Sequence, residues 1–139
     1  DALHKGEDLT SPNRFWKLVG GVLDGLVAFH KSGLVHRDIA CRNLFMRADK
    51  SVVLGDFGLS RSTKAKTSIY VQTDLETLLP WAWSAPESLL QREFSPKSDI
   101  WMFGVTVWEI LTKGRQPHAE LEDFSKFKEE LRRGCMPLE

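Results

Sequence analysis

One tyrosine and two cysteines in 139 residues are the first shortages of this chain. Cys41 and Cys135 lie far apart and show no metal-ligand spacing, which suits reduced thiols inside a cell better than a disulfide framework. Charge of one sign is missing as well. The 19 basic and 19 acidic side chains cancel, so no net field gathers nucleic acid or anionic lipid. Long apolar runs are also absent. The longest, IWMFGVTVWEIL at 100–111, is 12 residues with Glu109 inside it, too short and too polar to cross a bilayer, and reads as a buried helix. The opening DALHKGEDLT is charged and lacks the apolar segment of a secretory signal. Neither an internal repeat nor a low-complexity segment is present. What remains is 42% apolar and 10% aromatic, the composition of one globular domain with a real core.

Ser11 before Pro12 predicts a helix start, a hydroxyl cap with proline at the first helical position. Phe15, Leu18, Val19, Val22, Leu26 and Phe29 then recur at steps of three and four, an apolar face that Gly33 ends. Gly20, Gly21 and Gly25 in that segment lack phosphate-loop spacing and follow no strand. NLFMR and SVVLGD, joined by ADK, predict a hairpin with Asn43 at one end and Asp56 at the other, the only strand expected. From Ser60 to Leu79 the chain is polar and without lasting periodicity, a long loop with no other element. SPKSDIWMFGVTVWEILTKG predicts a central helix, apolar nearly all round and capped by Ser or Asp. EDFSKFKEELRRG predicts a last helix with Phe124, Phe127 and Leu131 on one face and Gly134 as its stop.

His36-Arg37-Asp38 alone says little. It is followed, however, by Asn43 five residues after Asp38, DFG at Asp56 to Gly58, APE at Ala85 to Glu87, and SDIWMFG from Ser98. In this order and spacing the chain resembles the protein kinases over nearly its whole length. The resemblance implies a protein kinase-like α+β fold, of which residues 1–139 form a partial domain. They would be the mostly helical C-terminal lobe with a small hairpin, without the N-terminal lobe and the final helices.

The resemblance also implies roles. Asp38 would accept the proton of the attacked hydroxyl, Asn43 and Asp56 would ligate magnesium, and Phe45 would floor the adenine of ATP where the family commonly has leucine. Phe57 and Gly58 would let Asp56 swing, glycine because the hinge needs backbone angles that other residues resist. Asp99 would hold the catalytic loop, with His36 in support; His30 would only pack at the helix end. Arg37, aided by cations such as Arg61, Lys64 and Lys66, would receive a phosphate on Tyr70. Glu87 would pair with an arginine beyond Glu139.

Serine/threonine kinases typically carry lysine two residues after the catalytic aspartate and a threonine five residues before the alanine of APE. Here those positions hold Ala40 and Pro80, and Arg42 stands where HRDLAARN-type tyrosine kinases place arginine. LLPWAWSAPESL likewise resembles LPVRWMAPESL, whose proline is a platform for the substrate phenol. Ala82 and Trp81 depart from that pattern and leave substrate preference open. The expectation is a cytoplasmic tyrosine kinase domain using ATP, magnesium and protein tyrosine substrates, with no nucleic-acid partner and no membrane contact by this segment. The alternatives are a serine/threonine kinase of the tyrosine-kinase-like group, and a noncatalytic pseudokinase or docking module presenting the exposed apolar face of the last helix.

Overall fold

The computed structural model describes residues 11–74, 77–121 and 123–134. Cys135, and with it the expectation of a second reduced thiol, lies outside the described residues. Helix α1 (Pro12–Lys31) opens on proline, where a missing N–H costs nothing, but the Ser11 side chain makes no capping hydrogen bond; the expected hydroxyl cap is not formed. Leu18, Val22 and Leu26 of α1 are buried as the periodicity predicts, and Gly33 ends the helix at φ 72°, a left-handed angle that glycine adopts without strain.

After the short strand β1 (Leu34–Val35) and a single 3-10 turn at Cys41–Asn43 come β2 (Leu44–Met46) and β3 (Val52–Leu54). They pair antiparallel, with Leu44 opposite Leu54 and Met46 opposite Val52, as the hairpin reading expected. The hairpin lies on α1. A Cβ on Gly21 would come within 3.0 Å of the Val52 carbonyl oxygen, so glycine is what permits this approach.

The segment after Ser60 differs from the featureless loop expected. β4 (Arg61–Ser62) pairs with β1, and β5 (Tyr70–Val71) pairs with β6 (Glu93–Phe94), which follows the short helix α2 (Pro86–Leu90). The hairpin is therefore not the only strand structure. Two-residue strands carry almost no periodicity, so the sequence pattern could not mark them.

Helix α3 (Pro96–Leu111) starts with a capping box in which Ser95 and Ser98 each bond the other's backbone N–H. Met102, Phe103 and Ile110 join Leu18, Val22, Leu26, Ile39 and Val52 in one core. Each such apolar side chain contributes about 1.5–3 kcal/mol by leaving water. The expectation of a helix buried all round is corrected: Ile100 is 49% and Leu111 53% exposed, so among the described residues α3 packs on one side only.

Helix α4 (Phe124–Arg132) is capped by Asp123, whose carboxylate accepts from the Lys126 N–H, and Gly134 follows it at φ 75°. Its apolar face is partly covered: Phe124 is 37% exposed, whereas Phe127 packs inward. Phe127 is 3% exposed, with its ring 5.2 Å from Trp81 and 4.5 Å from His118. Among the described residues no helix is long and apolar enough to cross a membrane.

Candidate active site

The loop from His36 to Asn43 leaves β1 through a backbone conformation that only an external hold makes tenable. Arg37 has φ 71°, a left-handed angle that costs a side-chain-bearing residue about 1–3 kcal/mol. Asp99, fully buried in the first turn of α3, supplies that hold. Its Oδ2 accepts from the His36 N–H at 2.8 Å and its Oδ1 from the Arg37 N–H at 3.0 Å. His30 Nε2 donates to the same Oδ2 at 2.8 Å, so His30 ties α1 to this aspartate instead of only packing beside it. The helix N-terminus adds favourable potential for the buried charge.

His36 is itself fully buried. Its Nε2 donates to the Gly55 carbonyl at 3.1 Å, and its Nδ1 accepts from the Asp38 N–H at 3.3 Å, which fixes a neutral tautomer. Burial pushes the imidazole below its ordinary value of 6.5, outweighing the opposing pull of Asp99. His36 thus links the aspartate of the loop to the open end of the hairpin at Gly55.

Asp38 is held on both oxygens. Arg42 Nη2 pairs with Oδ1, and Asn43 Nδ2 donates to Oδ2 at 2.8 Å and to the Asp38 carbonyl at 2.7 Å. Both partners of that amide nitrogen are acceptors, so the NH2 group faces Asp38 and the amide oxygen is left for another ligand. The Gly55 N–H donates to the Asn43 carbonyl at 2.9 Å, which closes the hairpin and brings Asp56 to the same end as Asn43. Phe45 lies across Gly55 so closely that a Cβ there would sit 2.7 Å from its ring; half of the Phe45 surface, 51%, is exposed.

In Asp56-Phe57-Gly58 the unusual backbone angle belongs to the aspartate. Asp56 has φ 56°, whereas Gly58 is not in the left-handed region in this conformation. The Gly58 N–H donates to Asp56 Oδ1 at 3.2 Å, and a Cβ on Gly58 would press that same oxygen at 3.2 Å. The glycine makes room for the carboxylate. Phe57 stacks on Phe29 at 5.5 Å and meets His36 edge-on at 5.4 Å.

Arg37 points away from Asp38 into the polar segment. It is 1% exposed, its guanidinium 4.2 Å from the Phe94 ring centroid and 4.8 Å from that of Tyr70. Its Nη1 donates to Leu59 O at 3.2 Å and its Nη2 to Gln72 Oε1, while the buried Nε has no acceptor among the described residues. Burial draws the group below its ordinary value. Tyr70 is therefore half-buried over Arg37, opposite Phe94, and not at the tip of a free loop. Arg61 spends its Nη1 on the Gly58 and Ser60 carbonyls, and Lys64 and Lys66 are exposed. The Pro80 carbonyl accepts from the Trp83 N–H at 3.0 Å and the Ser84 hydroxyl at 2.9 Å. Glu87 stands in the first turn of α2 without an ion pair to any described residue.

Sequence reasoning passed over Trp83, Gln72 and Glu109. Glu109 Oε2 accepts from the Cys41 N–H and from Trp83 Nε1, each at 3.0 Å. The signal available was a lone carboxylate inside the most apolar run of the chain.

A family model described as protein tyrosine and serine/threonine kinase matches residues 1–137. The chain belongs to this family. It is 38% identical over 117 residues to the activated Cdc42 kinase Ack of Drosophila melanogaster, covering 84% of this chain and 11% of that protein. It is 37% identical over 120 residues to a putative neurotrophin receptor, LTRK 1, of Lymnaea stagnalis, covering 86% and 15%. With the high affinity nerve growth factor receptor of Gallus gallus it shares 42% over 102 residues, covering 73% and 13%. This kinase-family chain thus spans only about a tenth to a seventh of the length of these relatives.

Proposed function

We propose that the complete protein containing this chain is an ATP-dependent protein tyrosine kinase, of whose catalytic domain residues 1–139 are the C-terminal lobe, acting on the cytoplasmic side. The observation that carries the reading is the grip on Asp38. Asn43 and Arg42 fix its carboxylate, and the hairpin places Asp56 beside Asn43.

Phosphoryl transfer needs little covalent chemistry from a protein; it needs in-line positioning and neutralised charge. Asp38 accepts the proton as the substrate hydroxyl oxygen bonds to the γ-phosphorus and the bond to the β-phosphate oxygen breaks, giving phosphotyrosine and ADP. Asn43, through its spare amide oxygen, and Asp56, through its exposed carboxylate, are the residues that would hold magnesium. Among the described residues no cluster of three His, Cys, Asp or Glu side chains forms a cage. That fits an ion usually held by one or two carboxylates and the nucleotide's own phosphates. When bound, magnesium neutralises phosphate oxygens. Phe45, with its exposed ring on Gly55, would contact the adenine.

Tyrosine as the acceptor rests on Ala40 and Pro80, where the polar pair of serine/threonine kinases is absent, and on Arg42 at Asp38. The hydroxyl of a tyrosine reaches Asp38 from a substrate chain resting farther out, on Pro80. Tyr70 is the proposed phosphorylation site and Arg37 the group that receives the phosphate, with His36, Phe57, Gly58, Glu87 and Asp99 as supports.

Asp38→Asn in the complete kinase tests the base. Phosphoryl transfer is expected to fall about 100 to 10,000-fold, the usual worth of a general base, with ATP affinity and melting temperature kept. Unreduced turnover would remove Asp38 from this role.

A further inference from the structure

We infer that Glu109 is a positioning residue for phosphoryl transfer, acting on Asp38 through Trp83 and Arg42. This rests on Asp38 being the base. One carboxylate oxygen of Glu109 joins two segments that are far apart in sequence: the Cys41 N–H in the catalytic loop and the Trp83 indole N–H before α2.

Each contact has a physical reason. Cys41 begins the 3-10 turn, so its N–H has no partner within the turn, and Ala40 before it offers no side-chain cap. A carboxylate from α3 fills that place with a charge-assisted bond. The indole of Trp83 has only a donor to offer, and a half-buried Trp N–H needs an acceptor. Holding Nε1 sets the plane of the ring. On that ring sits the Arg42 guanidinium, 4.8 Å from the centroid, and Arg42 in turn pairs with Asp38 Oδ1.

Arg42 by itself is a poorly fixed group. It is a long side chain, 45% exposed, four residues from its partner, and an exposed pair of this kind contributes little unless something restrains it. Trp83 is that restraint, and Glu109 restrains Trp83. A carboxylate in the most apolar run of the chain, near the C-terminal end of α3, is costly on helix-dipole grounds. The two N–H groups it satisfies are what offset that cost. Its presence is also felt at the Cys41 thiol, which burial first and the Glu109 charge second hold above the ordinary thiol range.

The experiment measures tyrosine-peptide phosphorylation by the complete kinase for the wild type, Glu109→Gln, Glu109→Ala, Trp83→Phe and the double variant Glu109→Ala/Trp83→Phe. Glu109→Ala is expected to lower kcat about 10 to 100-fold, the scale of a misplacement near 1 Å, with KM for ATP within about twofold of wild type. Glu109→Gln keeps an oxygen acceptor and should recover most of the rate. Trp83→Phe keeps an aromatic ring, though a smaller one, and loses the donor, so kcat should fall there too. Two residues acting in one chain of contacts are not additive, so the double variant should lose no more than the worse single variant. Full kcat in Glu109→Ala, or losses that multiply in the double variant, would overturn the inference. Should Glu109→Ala fail to fold, Trp83→Phe decides, and an unreduced kcat there rejects the role. A wild-type enzyme without activity on tyrosine peptides sinks the kinase reading and this one together, whereas an active enzyme indifferent to Glu109 sinks this one alone.

Discussion

The catalytic loop at 36–43 and the polar segment at 60–79 lie on either side of the hairpin and are held by different means. Helix α3 reaches into the loop with Asp99 on two backbone N–H groups and Glu109 on a third, while the Thr106 hydroxyl lies 3.2 Å from the Ile39 carbonyl. The polar segment has two-residue strand pairs at β4 and β5, one ring stacked on Arg37 and the buried Gln72 amide oxygen accepting from the same guanidinium. Charged acceptors on buried backbone donors make opening expensive. Short ladders, a single stacked ring and one neutral amide acceptor make it less so. One region keeps a carboxylate still, and the other is tied to the fold mainly through Arg37. Arg37 belongs to both: its backbone is fixed by Asp99 and its side chain clasps Tyr70.

The sharpest way to break this contrast is to remove the anchor of the stiffer region. Asp99→Ala strands two buried N–H groups, each worth about 1–3 kcal/mol, so the complete kinase should lose about 2–6 kcal/mol in denaturant unfolding. A loss below about 1 kcal/mol would mean that the loop is not held from α3. The softer region should respond by a smaller amount and locally. Tyr70→Ala removes the ring from Arg37, an interaction of about 0.5–2 kcal/mol, and should speed proteolysis and amide exchange in 60–74 while leaving the loop protected. Tyr70→Phe keeps the ring and should show neither change; equal opening in both variants would place the hold elsewhere.

Acid gives the smallest effect. His36 titrates lower when folded than its ordinary 6.5, because burial disfavours the cation. The unfolded chain therefore binds that proton first, so the stability His36 contributes is complete above about 6.5 and declines as pH falls below it. Denaturation midpoints between about pH 7.5 and 5 should fall in the wild type and fall less in His36→Gln. Identical slopes would show that His36 is not the group responsible.

Much of this architecture was legible because it repeats locally. The three-and-four spacing of α1, the turn residues of the β2–β3 hairpin and the Ser95-Pro96 start of α3 each state their own geometry. Asp38, Asn43 and Asp56 were legible through the spacing of their motifs, since a loop and a hairpin bring them to one end. What escaped is what depends on partners distant in sequence. His30 reaching Asp99 spans 69 residues, Cys41 reaching Glu109 spans 68, and Tyr70 covering Arg37 needs β6 to arrive first. The room that Gly58 leaves for the Asp56 carboxylate escaped for a related reason, since it depends on how Asp56, at φ 56°, turns its side chain back over the glycine.

The central claim is that Asp38, gripped by Arg42 and Asn43, serves a tyrosine hydroxyl. The direct measurement gives the complete kinase matched peptides that differ only in tyrosine, serine or threonine at the acceptor, and compares kcat/KM. Ala40 and Pro80 leave nothing to draw a short side chain inward, and a nucleophile misplaced by about 1 Å costs on the order of 100-fold, so the tyrosine peptide should lead by about that factor or more. Serine phosphorylated as fast as tyrosine, or faster, would contradict it.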